Sequence, residues 1–327
     1  MRVTPAVKKL YRASRAVLAR VISHALPATL MRDNRYFATW ERRGYHLTPL
    51  HYYSPIPSTA ELDETVWRGP RPPAGVDMRE GEQLELLEAV SARYRSEYGR
   101  FPKHAGTSDC PFYIDNGYFV SVDAEMLYCL VRKHRPARII EIGSGFSTLM
   151  TSLAIERNKQ EDPLYKCRFV AVEPFPNRDL LALSKNLSEL IEAAVQRVPL
   201  ERFRELEAND ILFIDSSHVS RIGGDVNFEV LEVLPRLRNG VLVHVHDFFV
   251  PFEYPREWVT KNRWFWNEQY LLQAFLSFNS CFNVVWAASY MHWKFPDKVA
   301  AAFDSYDRSR TTPASLWIQR RAGGDGH

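Results

Sequence analysis

The chain has 327 residues, 46% of them hydrophobic and 25% charged, which is the balance of a globular protein rather than a disordered one. Its length exceeds the roughly 100 to 200 residues that one core usually organises, so one large domain with an appendage is expected. With 42 Lys and Arg against 39 Asp and Glu, the net charge of +3 makes no case for nucleic acid, and Cys110, Cys129, Cys167 and Cys281 form no C-x-x-C pair that would suggest a zinc ribbon or a disulfide scaffold.

From Pro5 to Leu26 the apolar residues Val7, Leu10, Tyr11, Val17, Leu18, Val21, Ile22, Ala25 and Leu26 recur at helical steps and predict an amphipathic helix. No acidic residue precedes Asp33, whereas Arg2, Lys8, Lys9, Arg12, Arg15, Arg20 and Arg32 do. The apolar stripe is expected to pack on the protein itself, with peripheral contact to an anionic membrane as the alternative. Arg20 and His24 interrupt the run, so neither a membrane span nor an export signal is expected, and a cytoplasmic location is. Between Tyr36 and Pro73 prolines and aromatics predict an irregular covering segment, in which Tyr45, His46, His51, Tyr52 and Tyr53 line a pocket or pack. A helix follows from Gly81 to Tyr98, then a connector.

Beyond residue 115 strands and helices alternate. Helices are expected at 123–134, 147–158, 179–190, 226–237 and 268–278, with a charged one from Glu201. Strands are expected at 138–142, 168–172, 211–214, 241–245, 284–288 and 316–319, and a weaker one at 194–198. Such alternation predicts a Rossmann-like, doubly wound, mostly parallel α/β sheet of seven strands with helices on both faces. The expected organisation is therefore a helical and aromatic covering region over 1–114, the α/β domain over 115–321, and a Gly-rich tail over 322–327.

Ligands of open α/β sheets bind outside the carboxyl ends of the strands. Those ends carry Glu141 with Gly143, Ser144 and Gly145, then Glu173, then Asp215 with His218, and finally His244, His246 and Asp247. Glycines in the first turn let a ligand approach the backbone, and the helix start at Ser147 and Thr148 offers free N–H groups. Burying so many ionisable groups without partners would be costly, so this concentration points to a site.

EIGSGFST at 141–148, Glu173 in VAVEPFP, Phe213-Ile214-Asp215 and HVHDFF resemble the motifs of class I S-adenosylmethionine-dependent methyltransferases, most closely a bacterial subgroup with an E-x-G-S-G-x-S-T loop. The resemblance spans about residues 115 to 321. It implies that Glu141, Gly143, Ser144, Gly145, Ser147, Thr148, Glu173 and Asp215 hold S-adenosylmethionine, with Glu173 on the ribose hydroxyls. Twenty-eight positions separate Gly145 from Glu173, the connection being lengthened by ERNKQEDPLYK. Thr148 stands where a nicotinamide fingerprint would place its third glycine, which argues against hydride transfer.

The expected reaction is O-methylation of a small-molecule or sugar hydroxyl, with His218, His246 or Asp215 removing the proton. By likeness to catechol-type enzymes, Asp215 and Asp247, with His246, are expected to hold a divalent ion. Phe248, Phe249, Phe252, Tyr254, Trp258, Trp264, Phe265 and Trp266 stack on the acceptor or pack against the N-terminal segment. The alternatives are a metal-dependent hydrolase or oxygenase using His244, His246 and Asp247, or a nucleotide-binding protein without catalysis.

Overall fold

A computed structural model describes residues 5–27, 30, 33–106 and 109–321. Arg2, Arg32 and the expected tail at 322–327 lie outside the described residues. The chain forms two compact units, 1–66 and 67–327.

In the first unit, α1 (Pro5–Ala25) follows the predicted periodicity. A shorter helix, α2 (Asn34–Glu41), starts at Asp33, whose carboxylate accepts from the Arg35 N–H at 2.9 Å and so caps the first turn. Over the proline-rich stretch that follows, Tyr45, Tyr52 and Tyr53 are exposed.

The second unit begins well before residue 115. Its α3 (Glu80–Tyr98) buries Leu86, Leu87, Val90, Tyr94 and Tyr98 in the same core as α4 (Asp123–His134) and α5 (Phe146–Glu161). The clamp is polar as well as apolar. Arg132, itself buried, pairs with Glu97 of α3 at 3.0 Å and with Glu161 of α5 at 2.5 Å, and also bonds Asn158. Part of the expected covering region is thus integral to the α/β unit.

The sheet contains β1 (Arg138–Ile142), β2 (Arg168–Val172), β3 (Leu187–Ile191), β4 (Ile211–Ile214), β5 (Leu242–Val245), β6 (Phe282–Ala287) and β7 (Leu316–Arg320). Its order is β3-β2-β1-β4-β5-β7-β6, with β7 antiparallel to both β5 and β6 and the other pairs parallel. The sheet is therefore mixed, and the Rossmann-like class holds. Alternation along the strands divides the core: Ile139, Phe169, Ile211, Phe213 and Trp317 lie in one apolar cluster, Ile140, Val172, Leu212, Val243 and Ile318 in the other.

Residues 179–198 depart from expectation. Only α6 (Arg178–Leu181) is helical there, Leu187–Ile191 is the edge strand β3, and Val195–Arg197 is a single 3-10 turn. Leucines at 180, 181, 183, 187 and 190 mimic helical spacing, but Asn186, buried and bonded to Ser152 of α5, ends the turn and sets the strand in place. After α7 (Leu200–Arg204) and β4, the segment from α8 (Asp225–Phe228) to Arg236 winds through irregular helical turns. The helix α9 (Glu268–Leu276) precedes β6, and α10 (Ala288–Lys294) and α11 (Pro296–Ala302), neither of them expected, join β6 to β7.

Candidate cofactor and active site

The chain reverses its strand order between β1 and β4, and the loops leaving the carboxyl ends of these two strands meet there. Gly143 has φ +87°, and a Cβ at this position would come within 2.1 Å of the Asp215 carbonyl oxygen. Only glycine lets the two strand ends approach so closely. Gly145 differs, since its backbone is extended and an added Cβ would meet nothing within 4 Å. The packing of the protein leaves that position open, towards the cleft.

Hydrogen bonds fix the loop between them. The Gly145 N–H donates to Thr148 Oγ1 at 2.9 Å, and Ser147 Oγ donates to Glu141 Oε1 at 2.5 Å. Glu141 is buried, and desolvation pushes its carboxyl up to about 8. Its Oε2 and the Ser144 hydroxyl are buried without a partner, which leaves hydrogen-bonding capacity beside the cleft. At the end of β2, Glu173 accepts from the Ser144 N–H at 3.2 Å and from the Phe175 N–H at 2.7 Å. The long connection after Gly145 is absorbed by the last turns of α5 and a turn before β2, so Glu173 still arrives beside the glycine loop.

Two cavities adjoin here. One of about 370 Å³ is lined by Gly143, Glu173, Phe175, Gln196, Asp215 and Arg221. The other, of about 310 Å³, is lined by Tyr118, Phe119, Gly145, Phe146, Leu180 and Asp215. Asp215 borders both.

Around Asp215 the acidic and imidazole side chains converge. His218 Nε2 lies 3.3 Å from Asp215 Oδ1 and 3.5 Å from Asp247 Oδ2, while its Nδ1 lies 2.9 Å from Glu268 Oε2. His218 and Asp247 both have positive φ, +58° and +56°, a strained conformation for residues with a side chain. At His218 the strain is held by the start of α9, because the His218 carbonyl accepts the N–H groups of Asn267 and Glu268, and Asn267 Oδ1 accepts from the Ser220 N–H. Burial pushes His218 down, but its bonds to Asp215 and Glu268 outweigh this and hold it well above the usual imidazole range. Burial likewise pushes Asp215 up, and the bond from His218 with the nearby charge of His246 brings it back to about 2.

Of the donors expected for a metal, Asp215 and Asp247 come together, and His218 takes the third place, the three ligand atoms lying within 4.8 Å of one another. His246 does not join them. Its Nε2 is 3.9 Å from Asp247 Oδ1, its Nδ1 is buried without a partner, and its ring lies against Phe119. His244 is further removed, wholly buried and stacked on Phe213 with ring centroids 4.0 Å apart. The two histidines do share one face of β5, as alternation requires, but that face is packed with aromatic rings. Glu268 had no signal in the sequence beyond a helix start, and only the tertiary fold shows it against His218.

The aromatic residues after β5 form a separate small cluster. Phe249 and Tyr254 are buried, with Trp258 and Trp266 packed against them. Trp266 lies 4.3 Å from the His218 ring and stacks on Trp264, which is 43% exposed.

The glycine loop, Glu173 and Asp215 thus surround an open cleft at the carboxyl ends of β1, β2 and β4. Residues 140–248 match the model of a family described as a methyltransferase domain. An uncharacterized protein of Archaeoglobus fulgidus is 35% identical over 179 residues, covering 51% of this chain and 77% of that protein. Among solved structures, the chain is similar to an O-methyltransferase from Bacillus cereus in complex with S-adenosylhomocysteine, at 14% identity and a TM-score of 0.35, covering 73% of this chain and 91% of that one. It is also similar to a TDP-rhamnose 3'-O-methyltransferase of calicheamicin biosynthesis, at 12% identity and a TM-score of 0.40, covering 79% and 99% respectively.

Proposed function

We propose that this chain is an S-adenosylmethionine-dependent methyltransferase that acts on a hydroxyl of a small molecule, a sugar among them, with His218 as the general base. The observation that carries this reading is the Glu268–His218–Asp215 alignment beside the cavity that Gly145 borders. Glu173, with two carboxylate oxygens, suits the two ribose hydroxyls, and the gap at Gly145 receives the methionine half of the cofactor. The acceptor lies on the Asp215 side, between Phe146, Phe119 and Tyr118.

Carboxylates lie on both ring nitrogens of His218 and favour its protonated form. S-adenosylmethionine, held by the glycine loop and Glu173, would supply an electrophilic methyl group. In its neutral form His218 would take the proton of the acceptor hydroxyl at Nε2. Glu268, bonded to Nδ1, would steady the imidazolium that results.

The convergence of Asp215, His218 and Asp247 favours a second reading, in which these residues hold a divalent ion. A donor set of two carboxylates and one imidazole fits manganese, iron or zinc more readily than magnesium. Such an ion would supply Lewis acidity that lowers the pKa of the acceptor hydroxyl.

Purified protein is incubated with methyl-labelled cofactor and a panel of sugars, catechols and amines. Transfer to oxygen is expected, and His218→Ala is expected to lower turnover by about two orders of magnitude with cofactor binding intact. Transfer to amines alone, or full turnover by His218→Ala, overturns the reading. Loss of activity to a chelator, restored by one divalent metal, selects the second.

A further inference from the structure

Helix α1 carries chemistry that methyl transfer does not use. Val17, Leu18, Val21 and Ile22 follow one another at one- and three-residue steps along one face, and they are 61%, 57%, 58% and 47% exposed. On a 3.6-residue wheel these positions fill one arc, while Lys8, Lys9, Arg12, Arg15 and Arg20 fill a separate one. No Asp or Glu occurs before Asp33.

We infer that α1 is a peripheral anchor that lies flat on an anionic lipid surface, its apolar stripe in the acyl boundary and its lysines and arginines among the lipid phosphates. Charge complementarity chooses this occupant. A nucleic acid would satisfy the basic arc and leave the apolar one in water. A second copy of α1 would cover the apolar arc but bring two wholly basic helices together. An anionic bilayer surface meets both demands at once. The helix lies on the surface and does not cross it, for no described helix is long and apolar enough to span a membrane.

The full chain is sedimented with vesicles of phosphatidylcholine alone and of phosphatidylcholine with phosphatidylglycerol. It is expected to sediment with the anionic vesicles only, and less at high salt. Because the four apolar side chains are exposed, Leu18→Asp with Ile22→Asp leaves the fold intact, which unchanged binding of S-adenosylhomocysteine verifies. This double variant is expected to lower vesicle affinity by about tenfold or more, as is Arg15→Glu with Arg20→Glu. The inference is overturned if the wild type stays in solution, or if the apolar double variant sediments as well as the wild type. A dimer in light scattering that Leu18→Asp with Ile22→Asp dissolves, with no vesicle binding, assigns the face to a second copy instead and likewise overturns it.

Discussion

Two glycines two residues apart do different work, and this separates stability from binding. Gly143 is required by the protein, since any side chain there collides with the Asp215 carbonyl and demands a left-handed backbone. Gly145 faces open space and is required only by what fills the cleft. Gly143→Ala is therefore expected to lower the melting temperature by several degrees, from about 2 kcal/mol or more of strain. Gly145→Ala should melt like the wild type yet bind S-adenosylhomocysteine at least about tenfold more weakly, as titration calorimetry would show. Equal affinity would remove Gly145 from the cofactor site. Both glycines were legible in the sequence because a strand, a tight turn and a helix start are local features. Glu268 was not, because its pairing with His218 spans fifty residues of chain and is set by where α9 docks.

Most elements follow from periodicity, and the exceptions have a common cause. The edge strand β3 is half-exposed, so its Leu187, Leu190 and Ile191 carry too weak an alternation to compete with the leucines before them. The assignment of α3 to the α/β unit was equally hidden, because it depends on an ion cluster that only forms when three helices meet. Removing its centre, with Arg132→Ala, leaves Glu97 and Glu161 facing one another and is expected to cost about 3 to 5 kcal/mol in denaturant unfolding. A loss below about 1 kcal/mol would mean that the clamp is incidental. The segment after β5 separates in the same way. Trp258 belongs to a small core with Phe249, whereas Trp264 is half-exposed and linked through Trp266 to His218. Trp264→Ala should thus raise KM for the acceptor severalfold with little change in melting, and Trp258→Ala should lower the melting temperature.

Across the whole molecule, the near balance of charge hides an uneven burial of acids. Desolvation raises the carboxyl of Glu125 to about 7 and that of Glu141 to about 8, and both are held within the core. Each folded-state value exceeds the ordinary unfolded one, so the native state binds more protons between about pH 4.5 and 8. Stability from these groups is fully present below that window and is lost as pH rises through it, by up to about 1.4 kcal/mol per pH unit for each group while the difference in bound protons is complete. The melting temperature is therefore expected to fall between pH 5 and pH 8.5, opposite to what surface carboxylate pairs would give. Glu141→Gln keeps a neutral side chain of the same shape beside Ser147 and should flatten part of that slope, with its gain over the wild type growing from pH 5 to pH 8.5. If the variant and the wild type lost stability in parallel, Glu141 would have to be ionised in the fold. The partnerless Oε2 beside the glycine loop would then carry a charge that the ammonium of S-adenosylhomocysteine could meet.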